Sequence, residues 1–280
     1  MKQTTNEFME NKPLSNTQSP STPSQEEQTY QFPTEEVTLP SRGLLYPEGH
    51  PLRSGLIRMK YMTAREEDIL TNQNYIKNGT VINKLLQSVI VTPCDYNDLL
   101  IGDKNSLLIA ARILGYGSDY TFNYRDPSTG EEEQVTVDLT ELDDKELDES
   151  LMKNGKNEFN FNLPHSKIDI TFKMLTHGDE EKITKELKGL KKINKFHSAE
   201  LTTRLKHMIL SVNGDYELKT IREFVDNALL ARDSKSLRNY LNEIMPDIDL
   251  KVDLDFSSGA TAEGVSIPLG LNFFWPDADL

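Results

Sequence analysis

Five histidines, one cysteine and a surplus of carboxylates are the side chains of this 280-residue sequence that could do chemistry. Metal binding would need imidazoles or thiolates at fixed short spacings, such as two His four apart on one helix face. His50, His165, His177, His197 and His207 show no such spacing. Cys94, in "VTPCDY", follows an apolar helical run with no paired His in view, so it reads as an inert thiol and not as a nucleophile. The carboxylates gather in "GEEEQ" and "ELDDKELDES". Paired carboxylates act as general acid and base only when a fold sets them across a substrate, and runs of this kind are usually solvated faces. "GDKNSL" and "GYGSDY" lack the spacing of a phosphate-binding loop. No catalytic, cofactor-binding or metal residue is therefore assigned, and no small-molecule substrate is expected. One basic run, "KITKELKGLKKINK" (182–195), sets Ile183, Leu187, Leu190 and Ile193 along one helical stripe among lysines. It reads as a surface helix; contact with nucleic acid or an acidic partner is the alternative.

The totals narrow the classes further. A formal charge of −14 opposes free association with nucleic-acid phosphates or anionic lipid. The single cysteine excludes an intrachain disulfide. The start, "MKQTTNEFMENK", lacks the apolar stretch of a secretory signal, and no run approaches the ~20 apolar residues of a membrane span. The expectation is a cytoplasmic protein without membrane contact.

The elements that must position these residues repeat. "DKNSL" at 103–107 returns as "DSKSL" at 233–237, and each is followed by an Asp and an alternating apolar run, "DYTFNY" and "DLKVDL". Upstream, "GLIRMKYMT" (55–63) alternates Ile57, Met59 and Tyr61 as a half-buried strand, and Thr63 then stands three before Glu66 as in a capping box. "KIDITFKMLTHGDEE" (167–181) repeats that junction with Ile168, Ile170, Phe172 and Met174, then Thr176 and Asp179. Leu39-Pro40 and Leu163-Pro164 precede the two strands, the first copy carrying the longer insertion "GLLYPEGHPLR". Helices follow: "VINKLLQSVIV" and "NSLLIAARIL" in the first copy, then stripes of Leu201, Leu205, Met208 and Ile209 and of Ile221, Phe224, Val225 and Leu229 in the second. Asp103 and Asp233 suit N-caps of the last helix of each copy, and Pro246 suits a helix stop. Each copy closes on a hairpin pattern around "RDPSTGEEE" and "DFSSGATAEG".

The fold class expected is α+β: two tandem modules of about 110 residues, a size that can form a domain, each a strand, several helices and a terminal β-hairpin. The first spans 36–152 and the second 153–280. Residues 1–35, rich in Ser, Thr, Pro and Gln, form a disordered tail in this reading. Near the other end, "FFWP" puts Phe273 in a core by alternation and leaves Phe274 and Trp275 between core and partner.

"LPSRGLLYP", "MTAREEDIL", "LLIGDKNSLLIAARILGYGSDY", "FKMLTHGDE", "DSKSLRNYLNEIMPDIDL" and "FFWP", in that order, resemble the baseplate hub proteins of T-even-type contractile-tailed phages. The resemblance covers about residues 35–280. It implies a non-enzymatic structural or assembly protein of the tail baseplate hub. Its partners would be other hub or tail assembly proteins, met in the host cytoplasm during assembly, and its residence the virion baseplate if it is retained. Relatives in that family often carry Cys-x-x-Cys pairs at the hairpin tips, as in a zinc-ribbon knuckle. Here the tips hold no cysteine, so the resemblance implies hairpins closed by turn chemistry and packing without metal. Candidate partner contacts are Arg42, Leu45 and Tyr46 in the "SRGLLYP" loop, Asp126 and Phe256 at the hairpin tips, and Phe274 and Trp275 near the end. The competing function is a nucleic-acid-binding regulator with cysteine-free remnants of zinc ribbons, working through the lysine helix and disfavoured by the −14 charge.

Overall fold

The computed structural model describes residues 33–152, 155–193 and 199–274. The expected tail, apart from its last residues, and Trp275 lie outside the described residues. Strand β1 (Thr34–Thr38) runs antiparallel to β2 (Leu56–Lys60), with Val37 opposite Ile57. Thr34 and Glu35, read as tail, are thus in a strand. Ile57 and Met59 bury one face of β2 while Arg58 stays in solvent, the alternation that the sequence carries.

Three helices follow: α1 (Ala64–Thr71), α2 (Gln73–Asn78) and α3 (Val81–Val89). The apolar stripe of α3, Val81, Leu85, Leu86 and Val89, is buried. The chain leaves α3 at Ile90, which bridges back to Met59. Helix α4 (Ile101–Tyr116) comes next, then the hairpin β3 (Asp119–Arg125) and β4 (Glu132–Asp138).

From residue 159 the order recurs. β5 (Phe159–Asn162) pairs with β6 (Asp169–Phe172), and helices α5 (His177–Ile193) and α6 (Glu200–Met208) follow. β7 (Ile209–Val212) returns to β6 with Phe172 opposite Ile209, as Ile90 returns to Met59. Helices α7 (Leu218–Asn227) and α8 (Ala231–Ile244) lead to the hairpin β8 (Lys251–Asp255) and β9 (Thr261–Ser266). The architecture is α+β with small antiparallel sheets.

Strands β1, β5 and β7 are additions to the sequence reading. β1 ("TEEVT") is almost wholly exposed and shows no apolar period, and β5 and β7 are only four residues long. The stripe drawn through Ile209 is also corrected. Helix α6 ends at Met208, Ile209 opens β7, and Leu201 is exposed. Pairing with β6 satisfies the backbone there, which helix continuation could not do better.

The described residues form one compact unit whose main core draws on both halves of the chain. Helix α4 sits at the junction. Its Ile101 N–H donates to Leu175 O at 3.2 Å, and His177 N–H donates to Leu99 O at 2.7 Å. Gly102 is required here: a Cβ on it would lie 1.8 Å from Pro246 O, so any side chain would push the segment after α8 off α4.

Candidate functional site

Two aspartates hold matching places in the two halves of the chain. Asp103 and Asp233 are fully buried and occupy the third position of α4 and α8, whose N-caps are Leu100 and Leu230. They are therefore not N-caps, as the sequence suggested. Each carboxylate turns away from its own helix end to hold the loop that follows a Leu-Pro pair. Asp103 Oδ1 accepts from Ser41 N–H at 2.9 Å, and its Oδ2 accepts from the Ser41 and Tyr46 hydroxyls, each at 2.7 Å. Tyr46 in turn accepts from Leu100 N–H at 3.1 Å. Asp233 accepts from the backbone N–H groups of His165 at 2.8 Å and Ser166 at 2.9 Å.

The two aspartates differ electrostatically. Burial, with a smaller push from the Asp144 charge, raises Asp103 to about 6 against the pull of its Tyr46 and Ser41 donors. At Asp233 burial acts in the same direction but is outweighed by the two N–H donors and the neighbouring Ser166 and His165 side chains, so its carboxyl lies below the usual value. Asp233 is shielded from solvent but at shallower depth, which is why its donors win.

The loop held by Asp103 presents Arg42. Arg42 (φ 49) and Gly43 (φ 74) are consecutive left-handed residues, a conformation that costs a non-glycine residue about 1–2 kcal/mol. Arg42 is kept there because Gly43 lies against the Arg53 backbone, where a Cβ would meet Arg53 O at 2.3 Å, and Arg53 donates to Gly43 O at 2.9 Å. The Arg42 side chain is exposed and pairs with Glu149. Leu45 and Tyr46 are buried beneath it. Tyr46 also stacks on His50, with ring centroids 5.1 Å apart.

A second pair of features unites the strand-to-helix junctions. Glu66 accepts from Thr63 N–H at 2.9 Å, the return bond of a capping box, and also from Thr63 Oγ–H at 2.7 Å. It also takes Lys60 Nζ at 2.9 Å and Ser88 Oγ–H at 2.6 Å. Burial raises its pKa, but these four donors bring it down to about 2. In the second half of the chain Asp179 takes Lys173 Nζ at 2.6 Å and Thr176 Oγ–H at 3.3 Å. The lysines, each three residues before the capping threonine, escaped the sequence reading. Their shared offset was the available signal.

The hairpin tips meet each other. Val135, Leu254, Phe256 and Val265 form a small core between the hairpins, joined by Tyr124 at 6.2 Å from the Phe256 ring. Ser128 and Ser258, at matching places in the two tips, are 3.1 Å apart through their hydroxyls. Glu133 accepts from Ser257 N–H at 3.0 Å and from Ser257 Oγ–H at 2.8 Å. Asp126 accepts from Ser128 N–H at 2.7 Å and Oγ–H at 2.8 Å. The Ser258 hydroxyl, and then these Ser128 donors against the opposing effect of burial, hold its carboxyl well below the usual range. The donor set is hydroxyls around carboxylates already engaged, which does not fit zinc, a metal that takes thiolate, imidazole or free carboxylate.

At the C-terminal side Phe273 and Phe274 are both buried. Arg112, itself buried, donates to Phe273 O at 3.1 Å, Gly117 O at 3.0 Å and Asp119 O at 3.1 Å, and lies over the Tyr116 ring at 5.2 Å. Three carbonyls and an aromatic face replace the missing carboxylate. Nothing in "AARIL" marks this arginine in advance. Of the candidate contacts within the described residues, Leu45, Tyr46, Asp126, Phe256 and Phe274 are committed to this chain's interior, and Arg42 alone meets solvent.

Other reactive groups among the described residues are also engaged within the fold. His207 pairs with Glu186 at 2.9 Å, and His177 lies edge-on to Tyr96 at 4.5 Å. Burial and Asp95 raise the Cys94 thiol, the reverse of what a nucleophile needs. Among the described residues no three His, Cys, Asp or Glu side chains converge as a ligand set, and no helix is long and apolar enough to cross a membrane.

Two loops are thus held by buried carboxylates, and the two hairpins are clasped at their tips. The family model described as T4 bacteriophage base plate protein matches residues 36–275, and the chain belongs to that family. It is a structural component of a phage tail baseplate. Neither a curated protein nor a solved structure matches it.

Proposed function

We propose that this protein is a component of the central hub of the baseplate, works through protein–protein contacts during tail morphogenesis in the host cytoplasm, and catalyses nothing. The observation that carries this reading is the use made of its carboxylates. Asp103, Asp233, Glu66 and Asp179 are all engaged by this chain's own loop or capping donors, which leaves the surface as the working part. Arg42 is the first surface contact to test, since a strained backbone persists where surrounding structure over-determines it and often marks a working site. We also propose that residues 36–152 and 153–280 are two copies of one module, and that the paired hairpins are a metal-free counterpart of a zinc-ribbon knuckle pair. The matched Lys-to-carboxylate and Asp-to-loop contacts support the first proposal, and the Ser128–Ser258 approach supports the second.

Cross-linking mass spectrometry of baseplates isolated during infection should place this chain against hub proteins. Co-expression with those proteins should give a complex that Arg42→Glu weakens. A chain that co-purifies with none of them, in a phage that assembles tails without it, would rule the hub reading out. Stoichiometric zinc in chelator-washed protein would rule out the metal-free clasp.

A further inference from the structure

The far end of α5 is unfinished. Its stripe begins buried at Ile183, is half-covered at Leu187 and Leu190, and ends at Ile193, which is 86% exposed. Around it Lys185, Lys188, Lys191 and Lys192 are exposed and make no ion pair among the described residues. Earlier in the helix the charges are matched: Asp179 takes Lys182 and Glu186 takes His207. Lysines at a helix C-terminus answer the dipole. They do not explain an uncovered isoleucine among them.

Elsewhere the same chain carries the complement. A cleft of about 770 Å³ lies between the segment after β4 and the last turns of α8. Glu146, Asp148, Glu149 and Glu243 rim it, and Leu151 and Tyr240 give it apolar walls. Leu151 is itself exposed, and among the described residues no basic side chain lines the cleft. Arg42 takes up part of the charge of Glu149; Glu146 and Glu243 have no cation among the described residues.

We infer that a second copy of this chain fills the cleft, the lysine-ringed end of α5 from one copy entering the acid-rimmed cleft of the next. Apolar Ile193 and Leu190 would meet Leu151 and Tyr240 while four lysines face the carboxylates. The net charge of −14 does not prevent this, because at physiological salt charges beyond about 8 Å are screened and the local match governs. The two surfaces differ, so one contact leaves a free helix end and a free cleft, and copies either exchange both contacts about a two-fold axis or continue head-to-tail into a ring or filament. This inference is independent of the hub assignment.

Sedimentation of the full chain across concentration and salt tests it, alongside two charge-reversed variants that alter only exposed side chains. One carries Lys188→Glu, Lys191→Glu and Lys192→Glu; the other carries Glu146→Lys and Glu243→Lys. The wild type should self-associate, more weakly as salt rises. Each variant alone should lose association by about tenfold or more, since like charges then face each other. Their equimolar mixture should recover it, because each variant then supplies the partner that the other lacks. Circular dichroism checks that both are folded. A wild type that stays monomeric at its highest soluble concentration overturns the inference, as does a mixture that fails to recover. So does salt-dependent binding of a random-sequence duplex that the lysine variant loses without any self-association, which would assign the helix to nucleic acid.

Discussion

Asp103 and Asp233 each stand third in a helix, close on loops after a Leu-Pro pair and are both buried, yet one carboxyl is pushed up to about 6 and the other is held below its usual value. The loops account for the difference. In the first half the loop carrying the long insertion folds over the aspartate, Ser41 giving one N–H and its hydroxyl and Tyr46 of the insertion giving a second hydroxyl. In the second a short turn offers two backbone N–H groups near the surface. A carboxylate's position in a repeat thus fixes what it holds, and the depth of cover over it fixes its charge preference.

The largest expected effect separates the two by truncation. Asp103→Ala leaves three buried donors without an acceptor and should cost about 3–5 kcal/mol, whereas Asp233→Ala frees two N–H groups nearer to water and should cost about 1–3 kcal/mol. The midpoints of urea unfolding measure both, and equal losses would break the comparison.

Next in size is the pH dependence, where the signs oppose. Asp103 has a raised folded value, so its contribution is complete below about 3.8 and is lost as pH rises through about 6. Asp233 has a depressed one, so its contribution is present above 3.8 and is lost as pH falls below that value. The stability gap between wild type and Asp103→Asn should therefore shrink by roughly 2 kcal/mol from pH 4 to pH 7, out of about 3 kcal/mol over the whole titration. The gap for Asp233→Asn should shrink in the acid direction. Unfolding curves at a series of pH values decide it, and slopes of the same sign would refute the account.

The junction carboxylates extend the same contrast. Glu66, with four donors and no side-chain exposure, should lose about 2–4 kcal/mol as Glu66→Ala, more than Asp179→Ala, whose Thr176 bonds are longer at 3.3 Å. Thermal denaturation of both variants ranks them. The smallest effect belongs to the hairpin clasp. Ser128→Ala and Ser258→Ala should each cost about 1 kcal/mol or less, and a double-mutant cycle should show that the losses do not add.

These contrasts also divide what could be read from the residues alone. The capping threonines, the strand alternation at Ile57 and Met59, the buried stripe of α7 and the hairpin turns were legible because each depends on neighbours within about one helical turn or one strand repeat. Asp103 was visible as important but not in its task. Its partners Ser41 and Tyr46 stand 62 and 57 residues away, and no local period connects them. For the same reason Tyr46, Phe256 and Phe274 looked available to partners, since aromatic type does not say whether a residue faces inward.

By itself, the sequence determined the strand-to-capped-helix junction and the closing hairpin of both halves, the α+β class and the lack of cysteine at the hairpin tips, all of which follow from local chemistry and composition. Tertiary structure alone decided that Arg112 is buried among carbonyls, that the hairpin tips face each other, and that corresponding aspartates differ in charge preference. The physical reason is distance along the chain: desolvation and long-range donors are set by whatever the fold lays over a residue, and that cover comes from segments far removed in sequence.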